Sequence, residues 1–235
     1  MDATRTFDGA ELNTEYLFGL WAHIALNPNA TTLLGVPMSY EIIHFTANQN
    51  IASAAVIIDF HITMINMTLP IEVDIWTMWD ERGQVVQYDV TFRWFQYLLD
   101  TILTAVKERF HLPTEQGATA YLQEHIAMAI CTTHDRHCKG TDAQYSGYDS
   151  CMAFLTEQRF GKAYELGADT LLCRMLHQSM VPARPQVHCP HIGPSGGGMC
   201  VDDYSYRSKV LEPYFTLGAF VPYGYGSRSG DIAAM

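Results

Sequence analysis

Carboxylates, an arginine and indoles interleave in the stretch VDIWTMWDERGQVVQYDVTFRW, from Val73 to Trp94. Read as two strands around the turn Asp80-Glu81-Arg82-Gly83, it sets Trp79 against Gln84, Thr77 against Val86, Ile75 against Tyr88 and Val73 against Val90. The opposite face then gathers Asp74, Trp76, Met78, Gln87, Asp89 and Arg93. Two acids and a guanidinium beside an indole on a half-apolar face suit a pocket wall. Asp89 and Arg93 are the candidate base and cation of acid–base chemistry, with Asp74, Trp76, Tyr88 and Trp94 as candidate substrate contacts. A cross-strand polar ladder on a solvated face is the plainer account of the same residues.

Imidazoles extend the set. His44 and His61 fall on expected sheet elements, and His61 shares its parity with Thr63 and Ile65 while a glycosylated Asn66 points outward. Both are catalytic candidates, against the commoner role of a hydrogen-bonded core histidine. Near the C-terminus, Arg174 and His177 are further candidate catalysts, and Arg184 and His188 candidate substrate contacts, delivered over the sheet by a closing lid. Cys173 and His177 stand one helical turn apart, so a disulfide at Cys173 fixes where His177 points. His188-Cys189-Pro190-His191 with Cys200 has residue types that bind zinc. Short zinc loops ordinarily show Cys-x₂₋₄-Cys or His-x₃₋₅-His pairs, however, and a disulfide accounts for both cysteines, so no metal or other cofactor is called for.

The elements that must position these groups follow from pattern. Helical spacing begins at Asn13 and stops before Asn27-Pro28; Ser39–Gln49 fits a helix or a strand; Ala52–Met67 is β-rich and Thr68-Leu69-Pro70 breaks it. After Arg93 the period becomes 3.6, with a helix ending near Phe110, a second over Glu115–Cys131, and short helices at Ser150–Gln158 and Asp169–Met180. From Pro182 the chain reads as loop, including a Cys189–Cys200 stretch whose prolines and glycines suit a disulfide-closed loop.

Composition sets the bounds. The 235 residues are 48% hydrophobic, enough for one good core with an appended subdomain. Fourteen basic against twenty-five acidic residues, a net charge of −11, speak against nucleic acid. Apolar runs such as Ser53–Ile58 fall far short of the ~20 residues of a membrane span. Six cysteines, Cys131, Cys138, Cys151, Cys173, Cys189 and Cys200, with no Cys-x-x-Cys spacing, suit three disulfides in any of fifteen connectivities. With the sequons at Asn29 and Asn66 they point to the secretory pathway, a leader having been removed.

An N-terminal helix before a bent antiparallel sheet with a VDIWTMWDERGQVVQYD hairpin resembles the ketosteroid-isomerase-like, or nuclear-transport-factor-2-like, cone. The segments ICTTHDRHC, LLCRMLHQSM and RPQVHCPHIGPSGGGMC resemble the cysteine-rich extension of secreted fungal proteins built on that cone, among them the maleidride dimerising cyclases. The resemblance implies an α+β protein, with a cone over residues 13–112 and a disulfide-rich helical and loop extension over 113–235. It further implies a cofactor-free cyclase or isomerase of fungal secondary metabolism, forming carbon–carbon bonds between polyketide-derived, maleic anhydride-type monomers. Such chemistry would use Arg93 with Arg174 or Arg184 as cations and Asp89 or a histidine as base. A secreted binder of a small apolar or anionic metabolite and a scytalone-dehydratase-like lyase are the alternatives, and a homodimer is the default for such sheets.

Overall fold

β-branched and aromatic residues dominate the span between Val36 and Phe92, and they form a four-stranded antiparallel meander. The computed structural model describes residues 6–21, 24 and 32–212. Its strands β1 (Val36–Asn48), β2 (Ile51–Ile62), β3 (Met67–Trp79) and β4 (Val85–Phe92) lie in sequence order. Ser39–Gln49, open between helix and strand on pattern, is therefore strand nearly throughout, with Tyr40 opposite Ile58 and Ile42 opposite Val56. Pro70 does not end a strand but sits within β3 opposite Asp59. β4 stops opposite Val73, so β3 is an edge on that side at Pro70, where proline is tolerated.

The hairpin register differs from the expected one by two residues. Thr77 faces Tyr88, Ile75 faces Val90 and Val73 faces Phe92, with a bulge between Met78 and Trp79. The cause is Asp80, whose carboxylate accepts from the amides of Arg82 (2.8 Å) and Gln84 (2.9 Å). That draws Gln84 into the turn and starts β4 at Val85. A two-residue shift preserves parity, so Asp74, Trp76, Asp89 and Arg93 still share a side.

Helix α1 (Ala10–Thr14) continues as one π turn, Glu15–Gly19. After the sheet come α2 (Phe95–Arg109), α3 (Glu115–His137), α4 (Tyr148–Thr156), α5 (Leu171–Gln178), α6 (Pro185–Ile192) and α7 (Tyr206–Val210). Ile102, Val106, Leu122, Ile126, Leu155 and Leu172, all nearly inaccessible, make a helical core that Ile62 and Ile65 join from the sheet.

Three disulfides join Cys131 to Cys151, Cys138 to Cys189 and Cys173 to Cys200, which fits the oxidising compartment expected. They correct the expected Cys189–Cys200 loop. Residues 185–192 are helical despite Pro190, because Cys189 is anchored to the end of α3 at Cys138 and Ile192 is buried in the core. Asn66 is exposed with left-handed backbone (φ 50°), consistent with an accessible sequon, whereas Asn29 lies outside the described residues. Among the described residues no helix is long and apolar enough to cross a membrane.

Candidate functional site

The acidic side of the hairpin is the open side. Asp89, Trp76 and Arg93 are exposed, and Arg93 Nε donates to Asp74 Oδ2 at 2.5 Å with Glu72 at 3.5 Å. The Asp74 hydrogen bond, then the charges of Asp74 and Glu72, hold the Arg93 pKa above its ordinary value. Tyr88 points the other way. Its hydroxyl donates to Asn13 Oδ1 at 2.8 Å and burial pushes its pKa up. The face expected to wall a pocket is thus turned outward, because the apolar side packs under the N-terminal helix. His44 is exposed on β1, and His61 is half-buried with Nδ1 3.2 Å from Thr68 Oγ1.

A groove of about 310 Å³ does open where β3 begins and α2 starts. Ile57, Leu69 and Ile71 line it together with Glu72, Arg93 and the exposed Trp94 and Tyr97. Of the sheet candidates it takes Arg93 and Trp94; Asp74, Asp89, His44 and His61 do not line it. Trp94, the N-cap of α2, has left-handed backbone (φ 56°) and is 76% exposed, beside Tyr97 at 71%. Left-handed geometry in a bulky residue costs on the order of 1 kcal/mol or more. It is held by Arg93 N–H donating to Glu72 O (2.9 Å) and Leu98 N–H donating to Trp94 O (3.0 Å).

The C-terminal candidates gather elsewhere. Thr170 caps α5 by accepting from Cys173 N–H, and the Cys173–Cys200 disulfide fixes the same turn. Arg174, fully buried, donates to the carbonyls of Thr170, Gly193 and Pro194 and pairs with Asp169 at 2.7 Å. Its guanidinium is committed to tying the segment after α6 onto α5. His177, one turn on, lies with Nδ1 3.1 Å from both Tyr16 Oη and His191 Nδ1. His188 Nε2 is 3.0 Å from Glu15 Oε2, and Glu15 also pairs with Arg184, which reaches Glu11 at 2.9 Å.

His177, His188 and His191 are all buried. Burial, reinforced by the charge of His188, depresses the His191 pKa to about 4. Burial also lowers that of His188, partly offset by Glu15. Burial raises the Glu15 carboxyl, but the hydrogen bonds and charges of Arg184 and His188 outweigh it and leave its pKa lowered. Arg184 and His188, expected over the sheet, instead lock the C-terminal half to α1. A cavity of about 10 Å³ touches Tyr16 and His177, room for about one water and not for a metabolite. Glu15 and Tyr16 belong to this cluster without having been singled out in the sequence. They lie 161 to 173 residues from their partners, a separation no spacing rule spans.

Residues 1–90 match the family model described as the BfoA N-terminal domain, and residues 93–203 match the BfoA family C-terminal domain. The chain is 49% identical over 234 residues to the aurasperone B biosynthesis cluster protein A of Aspergillus niger, covering 99% of this chain and 74% of that one. It is 48% identical to the bifonsecin B biosynthesis cluster protein A of Aspergillus brasiliensis over 99% of this chain and 76% of the relative. No solved structure matches.

Proposed function

The chain belongs to the BfoA family, and from that premise we propose that it serves fungal secondary metabolism by holding an apolar, aromatic-faced pathway metabolite in the Trp94–Tyr97 groove. One observation carries this reading: an indole kept largely exposed, on left-handed backbone, lining an apolar groove. Strain of this kind persists where the surroundings over-determine it, and it gathers at ligand clamps. The groove volume lies at the low end of the range for small-molecule sites. Trp94 and Tyr97 offer stacking faces, and Arg93 a cation for a phenolate or carboxylate. The disulfides favour a place of action in the secretory pathway or outside the cell.

A second reading adds catalysis in the same groove, supported by Glu72 at 3.5 Å from Arg93 in its wall, as base and anion clamp. The cofactor-free cyclase or lyase, the isomerase-like cone and a maleidride-type substrate belong to that reading; Glu72 replaces Asp89 as its base.

Titration with aurasperone B and bifonsecin B, or extracts containing their precursors, is followed by tryptophan fluorescence. Saturable quenching is expected, weakened up to about tenfold in Trp94→Ala, since aromatic pairing is worth about 0.5–1.5 kcal/mol. A new product mass that disappears in Glu72→Gln moves the assignment to catalysis. Neither quenching nor product with any of these metabolites defeats both readings.

A further inference from the structure

Three buried imidazoles converge away from the groove, on a place the proposed function does not use. We propose that His177, His188 and His191 form a binding site for one divalent transition-metal ion, zinc or copper by ligand type, with Glu15 orienting His188.

The geometry comes first. One ring nitrogen from each histidine lies within 4.8 Å of the other two, and His177 Nδ1 and His191 Nδ1 stand 3.1 Å apart. Nitrogens at about 2.0–2.1 Å from a tetrahedral zinc are about 3.3 Å apart, so this pair already has the spacing, and the third, within 4.8 Å of both, reaches it with a shift of at most about 1.5 Å. The His188 ring is fully buried, with its Nε2 on the Glu15 carboxylate and its Nδ1 without a hydrogen-bond partner. A carboxylate on one ring nitrogen and a bare lone pair on the other is the arrangement of carboxylate–histidine–metal triads. An orphaned buried nitrogen is otherwise a net cost.

The donor set agrees. Three neutral imidazoles suit zinc or copper, not calcium or magnesium. Cys173 and Cys200 also lie within 4.8 Å of His177, but their sulfurs are joined to each other, which leaves the donors to the histidines. Tyr16 Oη, 3.1 Å from His177 Nδ1, and the one-water cavity that Tyr16 and His177 line could supply a further oxygen donor. The sequence argued against zinc because His188-Cys189-Pro190-His191 with Cys200 lacks the usual Cys or His pairs and a disulfide accounts for both cysteines; the third histidine comes from α5, which the Arg174 bonds to Gly193 and Pro194 hold against α6.

The test uses the full chain, tag-free, with disulfides intact, stripped by a chelator and exchanged into metal-free buffer. Cobalt titration is expected to develop the visible absorption of a four- or five-coordinate nitrogen site, saturating at one ion per chain and displaced by zinc or copper. Elemental mass spectrometry reads the stoichiometry. His177→Ala and His191→Ala should abolish uptake, and His44→Ala, on the exposed β1 strand, should leave it unchanged. Glu15→Gln should weaken affinity about 10- to 100-fold, the effect of losing an outer-shell partner. Should the alanine variants not fold, the wild-type spectrum and stoichiometry still decide. A folded wild-type chain that takes up no stoichiometric ion, or uptake that survives His177→Ala/His191→Ala, overturns the site and leaves a hydrogen-bonded histidine–tyrosine chain. Wild-type affinity in Glu15→Gln overturns the part given to Glu15. The site does not depend on the groove reading, since neither assay shares a residue with the other.

Discussion

His191 is the histidine of the buried cluster whose pKa is pushed down to about 4, which makes it one source of the protein's pH dependence. It faces His177 and His188, with the Glu15–Arg184 pair behind His188, in a buried cluster that disfavours its protonation. Its pKa is about 4 when folded against about 6.5 when unfolded. Between those values the unfolded chain binds a proton that the folded chain refuses, so stability falls as pH drops through that window. The loss approaches about 3 kcal/mol for a gap of this size. His188, also lowered, and Glu15, lowered below its ordinary value, act in the same sense. Melting temperature of the metal-free protein should therefore fall steadily from pH 7 to pH 4, and His191→Gln should flatten the slope. Equal slopes in the two proteins would show that the proton goes elsewhere. At this scale the sequence was partly legible: Cys173 and His177 lie one turn apart on one helix with Cys173 in a disulfide, while the imidazole itself contacts Tyr16 and His191. Glu15 was not, since an acid in an N-terminal helix looks like any solvated acid until α6 arrives against it.

Among the elements, α6 brings two of the three histidines and α5 the third, and the start of α5 is secured by Thr170. The buried hydroxyl accepts from Cys173 N–H at 3.2 Å and donates to Glu165 O at 3.2 Å. Thr170→Ala should cost about 1–2 kcal/mol, a fall of roughly 3–6 °C in melting temperature, with Thr170→Ser recovering most of it. Gly161 backs the same residue: its φ is 100° and a Cβ there would meet Thr170 Cβ at 2.8 Å. Gly161→Ala should then destabilise at least as much, and a melt unchanged by either substitution would remove α5 capping as a determinant. Helix α2 was readable because apolar residues recur every 3.6 positions on a face that is buried. α6 was not, because its proline and cysteine content reads as loop, and it is burial of Cys189 and Ile192 that keeps it helical. β1 was ambiguous for the opposite reason. It is exposed on almost every residue, so no inward face imposes alternation on Tyr40, Ile42, Ile43 and Phe45.

For the molecule as a whole, two family domains meet between residues 90 and 93, yet the hydrophobic core does not respect that boundary. Ile62 and Ile65 enter the cluster built by α2 and α3, the Thr63–Ile65 turn packs on α2, and Leu33 N–H donates to Met175 Sδ on α5 at 3.4 Å. All three disulfides lie between Cys131 and Cys200, and none touches the sheet. The bridge from Cys138 to Cys189 closes the longest separation, 51 residues, and in the chain-entropy account contributes about 4 kcal/mol. That is a large share of the ~5–15 kcal/mol typical of a domain. If the core is shared, loosening the helical half must uncover Ile62, Ile65, Met67 and Leu69 at the end of the sheet that enters it, and the sheet loses the stabilisation of that burial. Cys138→Ala/Cys189→Ala should consequently lower the melting temperature more than the loss of either other bridge. Helical circular dichroism and fluorescence of the sheet tryptophans, Trp76 and Trp79, should then fall together in one transition. Two separated transitions, with the tryptophan signal outlasting the helical one, would instead make residues 1–90 a unit that folds by itself, and the packing of Ile62, Ile65 and Leu33 a contact between finished domains.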